Sequence, residues 1–114
     1  SQAELPLFYQ ASKLLVIPSF KEGFGLTGLE ALSCGTLITC SDIAPLREVF
    51  NTATTYFNPA DPEEMAQKIY QLATDENLRA QKLANSHQLI NFYDWQKTAC
   101  QTLELYNQIL HKNA

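Results

Sequence analysis

Two carboxylates, Glu22 and Glu30, stand eight residues apart and enclose Gly23, Phe24, Gly25, Leu26, Thr27, Gly28 and Leu29. The stretch follows an apolar run from Leu14 to Pro18, so it reads as a strand, a glycine-rich turn and the first turns of a helix. Such a junction offers unpaired backbone N–H groups and the positive end of a helix dipole, which together seat a phosphate. Ionised carboxylates only accept hydrogen bonds, so the two glutamates suit hydroxyl donors rather than the phosphate itself. Phosphate and hydroxyls side by side point to a nucleotide-sugar.

The elements that must hold this junction follow from periodicity. Leu5, Phe8 and Tyr9 begin a short helix that leads into a buried strand over Leu14 to Ile17. Leu26 to Cys34 is helical, with Gly35 as its stop. Leu37 to Ser41 is a second buried strand, Pro45 to Phe50 a single helical turn, and Thr54 to Phe57 a third, short strand. Asp61-Pro62-Glu63-Glu64 starts a helix with a cap, a proline at its first position and a glutamate placed for a capping box. Met65, Ile69 and Leu72 form its apolar stripe. A more polar helix is expected from about Glu76 to Phe92. Asp94 caps a last helix, with Trp95, Leu103, Tyr106 and Leu110 as its buried side.

Strands and helices alternate up to residue 73, which predicts an α/β class with a short parallel sheet, flanking helices and a helical C-terminal region. The whole of 1–114 reads as a single partial domain, a strand–helix core over about 5–73 and a helical tail over about 75–112. Three strands make a thin sheet, and a buried strand almost at the start looks like the second half of a doubly wound domain. The expectation is a fragment, or a module that completes its sheet with another chain.

Composition narrows the classes. The chain has 114 residues, 46% hydrophobic and 18% charged, ordinary for a globular domain with a modest core. Its net charge of −4 argues against nucleic acid or an anionic membrane surface as partner. No apolar run reaches transmembrane length. Cys34, Cys40 and Cys100 fit neither a disulfide framework nor a zinc spacing, and read as reduced, core-filling residues of a cytosolic protein. His87 and His111 lie in late helical segments as surface residues without metal-ligand partners.

The Glu22–Glu30 stretch admits plainer readings. Thr27-Gly-Leu-Glu30 has capping-box spacing, so Glu30 could cap its own helix. Glu22 could be a solvated carboxylate beside Lys21, and the glycines could serve only tight backbone geometry. Gly23-Phe-Gly-Leu-Thr-Gly28 is also a literal dinucleotide fingerprint, with Asp42 placed as a ribose-binding acid. Against that reading, the polar spacer Pro18-Ser-Phe-Lys-Glu separates strand from first glycine. A glycosidase acid–base pair would have to flank its bond from opposite sides, which one loop–helix junction does not offer.

The longer pattern Pro18-Ser19-(x)2-Glu22-Gly-Phe-Gly-Leu-(x)3-Glu30-Ala31-Leu32-(x)2-Gly35 resembles the donor-site signature of the retaining nucleotide-sugar glycosyltransferases of family 4. The resemblance continues upstream in Tyr9-(x)-Ala11-(x)2-Leu14. Downstream it runs through Ser41-Asp42, Arg47-Glu48-Val49, Phe57-(x)-Pro59-(x)-Asp61, Trp95-(x)2-Thr98 and Tyr106. It spans about Leu5 to Leu110. Leu37, the glycine-free run Ile43-Ala44-Pro45-Leu46 and Asn51 depart from it, where relatives carry proline or glycine.

The resemblance implies two Rossmann-like domains facing a cleft, with this chain the second half of the C-terminal, donor-binding one. It implies transfer of a hexose from a nucleotide-diphosphate sugar to a glycan, lipid or other acceptor, without a metal or other cofactor. Glu22 would be the catalytic residue at the transferred sugar. The backbone of Gly23, Phe24, Gly25, Leu26 and Thr27 would cradle sugar and phosphate, and Glu30 would hold the ribose hydroxyls. The acceptor would bind through an N-terminal domain missing from this chain, which alone would be inactive. The full-length enzyme would be cytoplasmic or work at the cytosolic face of a membrane. Two alternatives stand beside it. One is a non-catalytic binding or assembly module, self-associating through an exposed sheet edge. The other is an NAD-type dinucleotide-binding domain.

Overall fold

The structure, a computed structural model, describes residues 2–112. A short 3-10 turn, Gln2–Glu4, precedes helix α1 (Leu5–Ala11) and strand β1 (Leu15–Ile17). Then follow α2 (Leu26–Ser33), β2 (Ile38–Ser41), α3 (Ala44–Phe50) and β3 (Thr55–Phe57). Three longer helices close the chain: α4 (Pro62–Thr74), α5 (Glu76–Ile90) and α6 (Trp95–Lys112). The sheet is parallel throughout, in the order β1-β2-β3, with Val16 beside Thr39 and Cys40 beside Tyr56. The α/β class and the three strands read from the sequence are therefore what the chain forms. α3 is longer than the single turn expected, because Ala44 before Pro45 already takes helical geometry and the helix runs on to Phe50.

The central strand β2 is buried along its whole length, and its hydroxyls are satisfied there. Ser41 Oγ donates to the Ile17 carbonyl at 3.2 Å, and Thr39 Oγ1 to the Thr55 carbonyl at 3.1 Å. Ile17, Leu32, Ile38, Leu46, Val49 and Phe50 form the core between sheet, α2 and α3, with Leu89 and Ile90 of α5 packed against it. Cys40 lies inside this core, and burial pushes its thiol up to about 12, so it is inert filling. Asn51 ends α3 at φ +43°, left-handed geometry that asparagine accepts more readily than most residues.

Asp61 caps α4 as expected, its carboxylate accepting from the Glu64 N–H at 3.0 Å. The return arm of the box differs. Glu64 accepts from the Asn58 N–H at 2.8 Å, because the Asp61 N–H is already donated to the Asn58 carbonyl at 3.0 Å. α5 stops at Ile90 rather than Phe92, with Phe92 and Tyr93 closing a turn on Leu89 and Ile90. Both histidines, His87 and His111, are exposed.

The largest departure is α6. Trp95, Leu103, Tyr106 and Leu110 were expected on a buried side, yet they are 80%, 59%, 60% and 68% exposed. Cys100, expected in the core, is exposed on the same helix, and Cys34 is only half-buried. The apolar periodicity is real, but the described residues supply no surface for that face to pack on. The chain extends to 59 Å along one axis against 30 Å on the others. No helix of the described residues is long and apolar enough to cross a membrane.

Candidate functional site

The junction forms between β1 and α2. Strand β1 ends at Ile17, and α2 does not begin until Leu26, so residues 18–25 form the loop that carries Glu22. Gly25 is the N-cap of α2, at φ +90°, and no side chain caps the helix. Its carbonyl accepts from the N–H groups of Gly28 at 3.0 Å and Leu29 at 3.4 Å. The N–H groups of Gly23, Phe24, Gly25, Leu26 and Thr27 donate to nothing among the described residues. A bare helix start of this kind leaves several donors and the positive dipole end open to an anion. Thr27 lies inside the helix and does not cap it, so Glu30 has no capping box to complete.

Packing explains two of the junction's glycines but not the third. A Cβ at Gly25 would lie 2.8 Å from Leu46 Cδ2, and its φ is left-handed besides. A Cβ at Gly28 would lie 2.4 Å from Phe50 Cζ and 3.1 Å from Ile17 Cδ1. These glycines let the start of α2 lie directly on α3 and β1. Gly23 has open space where a Cβ would be and an ordinary φ. Phe24 closes the loop from the other side, edge-on to Tyr93 with ring centroids 5.5 Å apart.

Each glutamate is held by one hydroxyl. Ser19 Oγ donates to Glu22 Oε1 at 2.8 Å, and Glu22 is half-buried. Tyr9 donates from its phenol to Glu30 Oε2 at 3.2 Å, bringing α1 against α2. Burial first, and then the Glu30 carboxylate, raise the Tyr9 phenol above its ordinary value, so it stays protonated as a donor at neutral pH. The second oxygen of each carboxylate has no protein partner among the described residues. Glu30 also borders a recess of about 330 Å³ shared with Leu5, Pro6 and Tyr9.

The other sequence candidate, Asp42, is otherwise engaged. It leaves the end of β2 paired through both oxygens with Arg47 Nε and Nη2, the latter at 2.6 Å. The guanidinium, stacked 4.5 Å over the Tyr56 ring, holds the Asp42 carboxyl below its usual range. A carboxylate so occupied is poorly disposed to accept from a ribose, and β1 stops well short of Gly23. Both facts tell against the dinucleotide reading. A second hollow, about 210 Å³ beside Asn51, Asn85 and Gln88, contains none of the candidate donor-site residues read from the sequence. Among the described residues, no group of three or more His, Cys, Asp or Glu could hold a metal ion.

Sequence reasoning missed Ser19 and Tyr9 as partners of the glutamates. Ser19 lies three residues before Glu22, near enough in the chain for its hydroxyl to reach the carboxylate. Tyr9 is 21 residues from Glu30, and only the packing of α1 on α2 joins them.

Residues 1–88 match the family model described as "Glycosyl transferases group 1". The chain is 35% identical over 103 residues to the O-antigen chain mannosyltransferase B of Escherichia coli, covering 90% of this chain and 27% of that protein. It is 34% identical over 114 residues to a serotype-specific mannosyltransferase, WbdA, of the same species, covering 96% and 14%. The structure matches that of sucrose-phosphate synthase from Thermosynechococcus elongatus with a TM-score of 0.83 at 26% identity, covering 93% of this chain and 27% of that one. The chain thus spans about a quarter or less of the length of these relatives.

Proposed function

The chain belongs to the group 1 glycosyl transferases, and from that membership we propose that it forms the donor-binding part of a retaining hexosyltransferase using a nucleotide-diphosphate sugar. The observation that carries this reading is the uncapped start of α2, with two carboxylates flanking five unpartnered backbone N–H groups from Gly23 to Thr27. In the proposed site those N–H groups receive the diphosphate. The bond from the sugar's anomeric carbon to the diphosphate breaks, and the leaving group gains negative charge. Fixed N–H dipoles at a helix start stabilise that charge without reorganising and without needing a metal ion. Glu22 accepts from hydroxyls of the transferred hexose beside the reacting carbon, and Glu30 from the ribose hydroxyls. The acceptor, a glycan or lipid, binds through protein outside this chain, so the chain alone turns over no substrate.

Gly23→Ala tests the reading, because nothing in the fold requires a glycine there. The melting temperature is expected to stay within about 1 °C of wild type, since surface changes away from packed features cost little. Affinity of the full-length enzyme for its nucleotide-sugar is expected to fall by about tenfold or more, as the methyl holds the ligand off the loop. Unchanged affinity, measured by calorimetry, would remove the loop from the donor site.

A further inference from the structure

We propose that Tyr9 is a positioning residue for Glu30, fixing that carboxylate so that its free oxygen faces the ligand's vicinal hydroxyls; this rests on the donor-site reading of Glu30. Glu30 is exposed on the surface of α2, where a glutamate side chain ordinarily samples many rotamers. Tyr9 is the opposite kind of residue. Its side chain is 9% exposed and belongs to the core cluster. Its backbone is pinned as well: the Tyr9 carbonyl accepts from Thr36 Oγ1 and, at 2.9 Å, from the Ser12 N–H. A ring held that firmly delivers its hydroxyl to one place, and that place is Glu30 Oε2.

The consequence is preorganisation. One carboxylate oxygen is anchored before any ligand arrives, so the rotamer freedom of Glu30 is not lost again on binding. Glu30 borders the recess it shares with Leu5, Pro6 and Tyr9, where a hydroxyl pair joined to a flat, partly apolar group would fit. The bond also ties α1, which carries Leu5, Pro6 and Tyr9, to the carboxylate on α2. A merely structural role for Tyr9 would affect stability but not the recognition of hydroxyls.

The two roles separate in one binding experiment on the full-length enzyme. The dissociation constant of UDP, or of GDP if that binds more tightly, is compared with that of its 2′,3′-dideoxy analogue. The ratio of the two reads the hydroxyl contact alone. Wild type is expected to prefer the ribose form, and Glu30→Ala to lose that preference. Tyr9→Phe is expected to lower it about three- to tenfold, the range for an ordinary net hydrogen bond, since the phenol acts on the ligand only through the exposed carboxylate. Tyr9→Phe added to Glu30→Ala is expected to change the ratio no further, because the tyrosine acts only through the carboxylate. Glu30→Asp, too short to reach the phenol, is expected to behave like Tyr9→Phe and serves if that variant folds poorly. Wild-type preference in Tyr9→Phe or Glu30→Asp, beside its loss in Glu30→Ala, would overturn the positioning role alone. Preserved preference in Glu30→Ala would overturn the ribose reading and the positioning role together.

Discussion

Replacing Glu22 with alanine is expected to lower kcat of the full-length enzyme by at least about 100-fold, equivalent to ~2.7 kcal/mol of transition-state stabilisation. The melting temperature should hardly change. The expectation follows from where Glu22 stands. It lies in the loop between β1 and α2, and among the described residues its one hydrogen bond comes from Ser19. Neither the helix start nor the core depends on it, and the freed Ser19 hydroxyl can turn to water. Its proposed partners are the hydroxyls of the sugar that moves. In the proposed reaction that sugar becomes cation-like as its bond to the diphosphate breaks, and a carboxylate nearby stabilises the developing positive charge. In the proposed site the bare N–H groups act on the developing negative charge of the leaving group. Both effects are larger in the transition state than in the ground state, so kcat should suffer more than KM. Steady-state kinetics would check this, and a normal kcat in Glu22→Ala would remove the residue from the reacting centre.

The second large effect concerns stability. Gly28→Ala is expected to destabilise the fold by about 2 kcal/mol, lowering the melting temperature by on the order of 10 °C. The added Cβ would come within 2.4 Å of Phe50 Cζ and 3.0 Å of its Cε1. Phe50 is wholly buried within the core cluster, so its ring shifts only at the expense of its packed neighbours. Alanine's helix propensity returns only about 1 kcal/mol, less than the strain of overpacking a core. Thermal denaturation reads the difference, and Phe50→Leu in the same molecule should restore part of the loss. A Gly28→Ala variant as stable as wild type would mean that α2 can move off Phe50. The contact that sets the height of the junction over the core would then be softer than the geometry states.

The contrast between Gly23 and Gly28 shows what was legible in the sequence. That Glu22 to Glu30 formed a strand–turn–helix junction was readable from the apolar run before it and the glycines within it. Which glycine served packing and which had no packing role was not, because the answer depends on Phe50 and Leu46, more than 15 residues away in the chain. The same limit hid the Tyr9 phenol behind Glu30. Local signals did better: Asp61 caps α4 as its spacing predicts, and Asn51 takes a positive φ as expected of an asparagine at that helix end. Helix α6 marks the other boundary. Periodicity gave Trp95, Leu103, Tyr106 and Leu110 an apolar face, but a pattern of 3.6 residues states only that a face exists. It carries no information on what covers that face, and among the described residues nothing does.

The central claim is that the junction between β1 and α2 is a seat for a nucleotide diphosphate. It is tested most directly by following the backbone amide resonances of the full-length enzyme while UDP, GDP or NAD is added. Saturable shifts centred on Gly23, Phe24, Gly25, Leu26 and Thr27 are expected with UDP or GDP, together with weaker binding of NAD. Saturable binding that leaves those five amides unmoved, with shifts gathered around Asn85 and Gln88 instead, would contradict it.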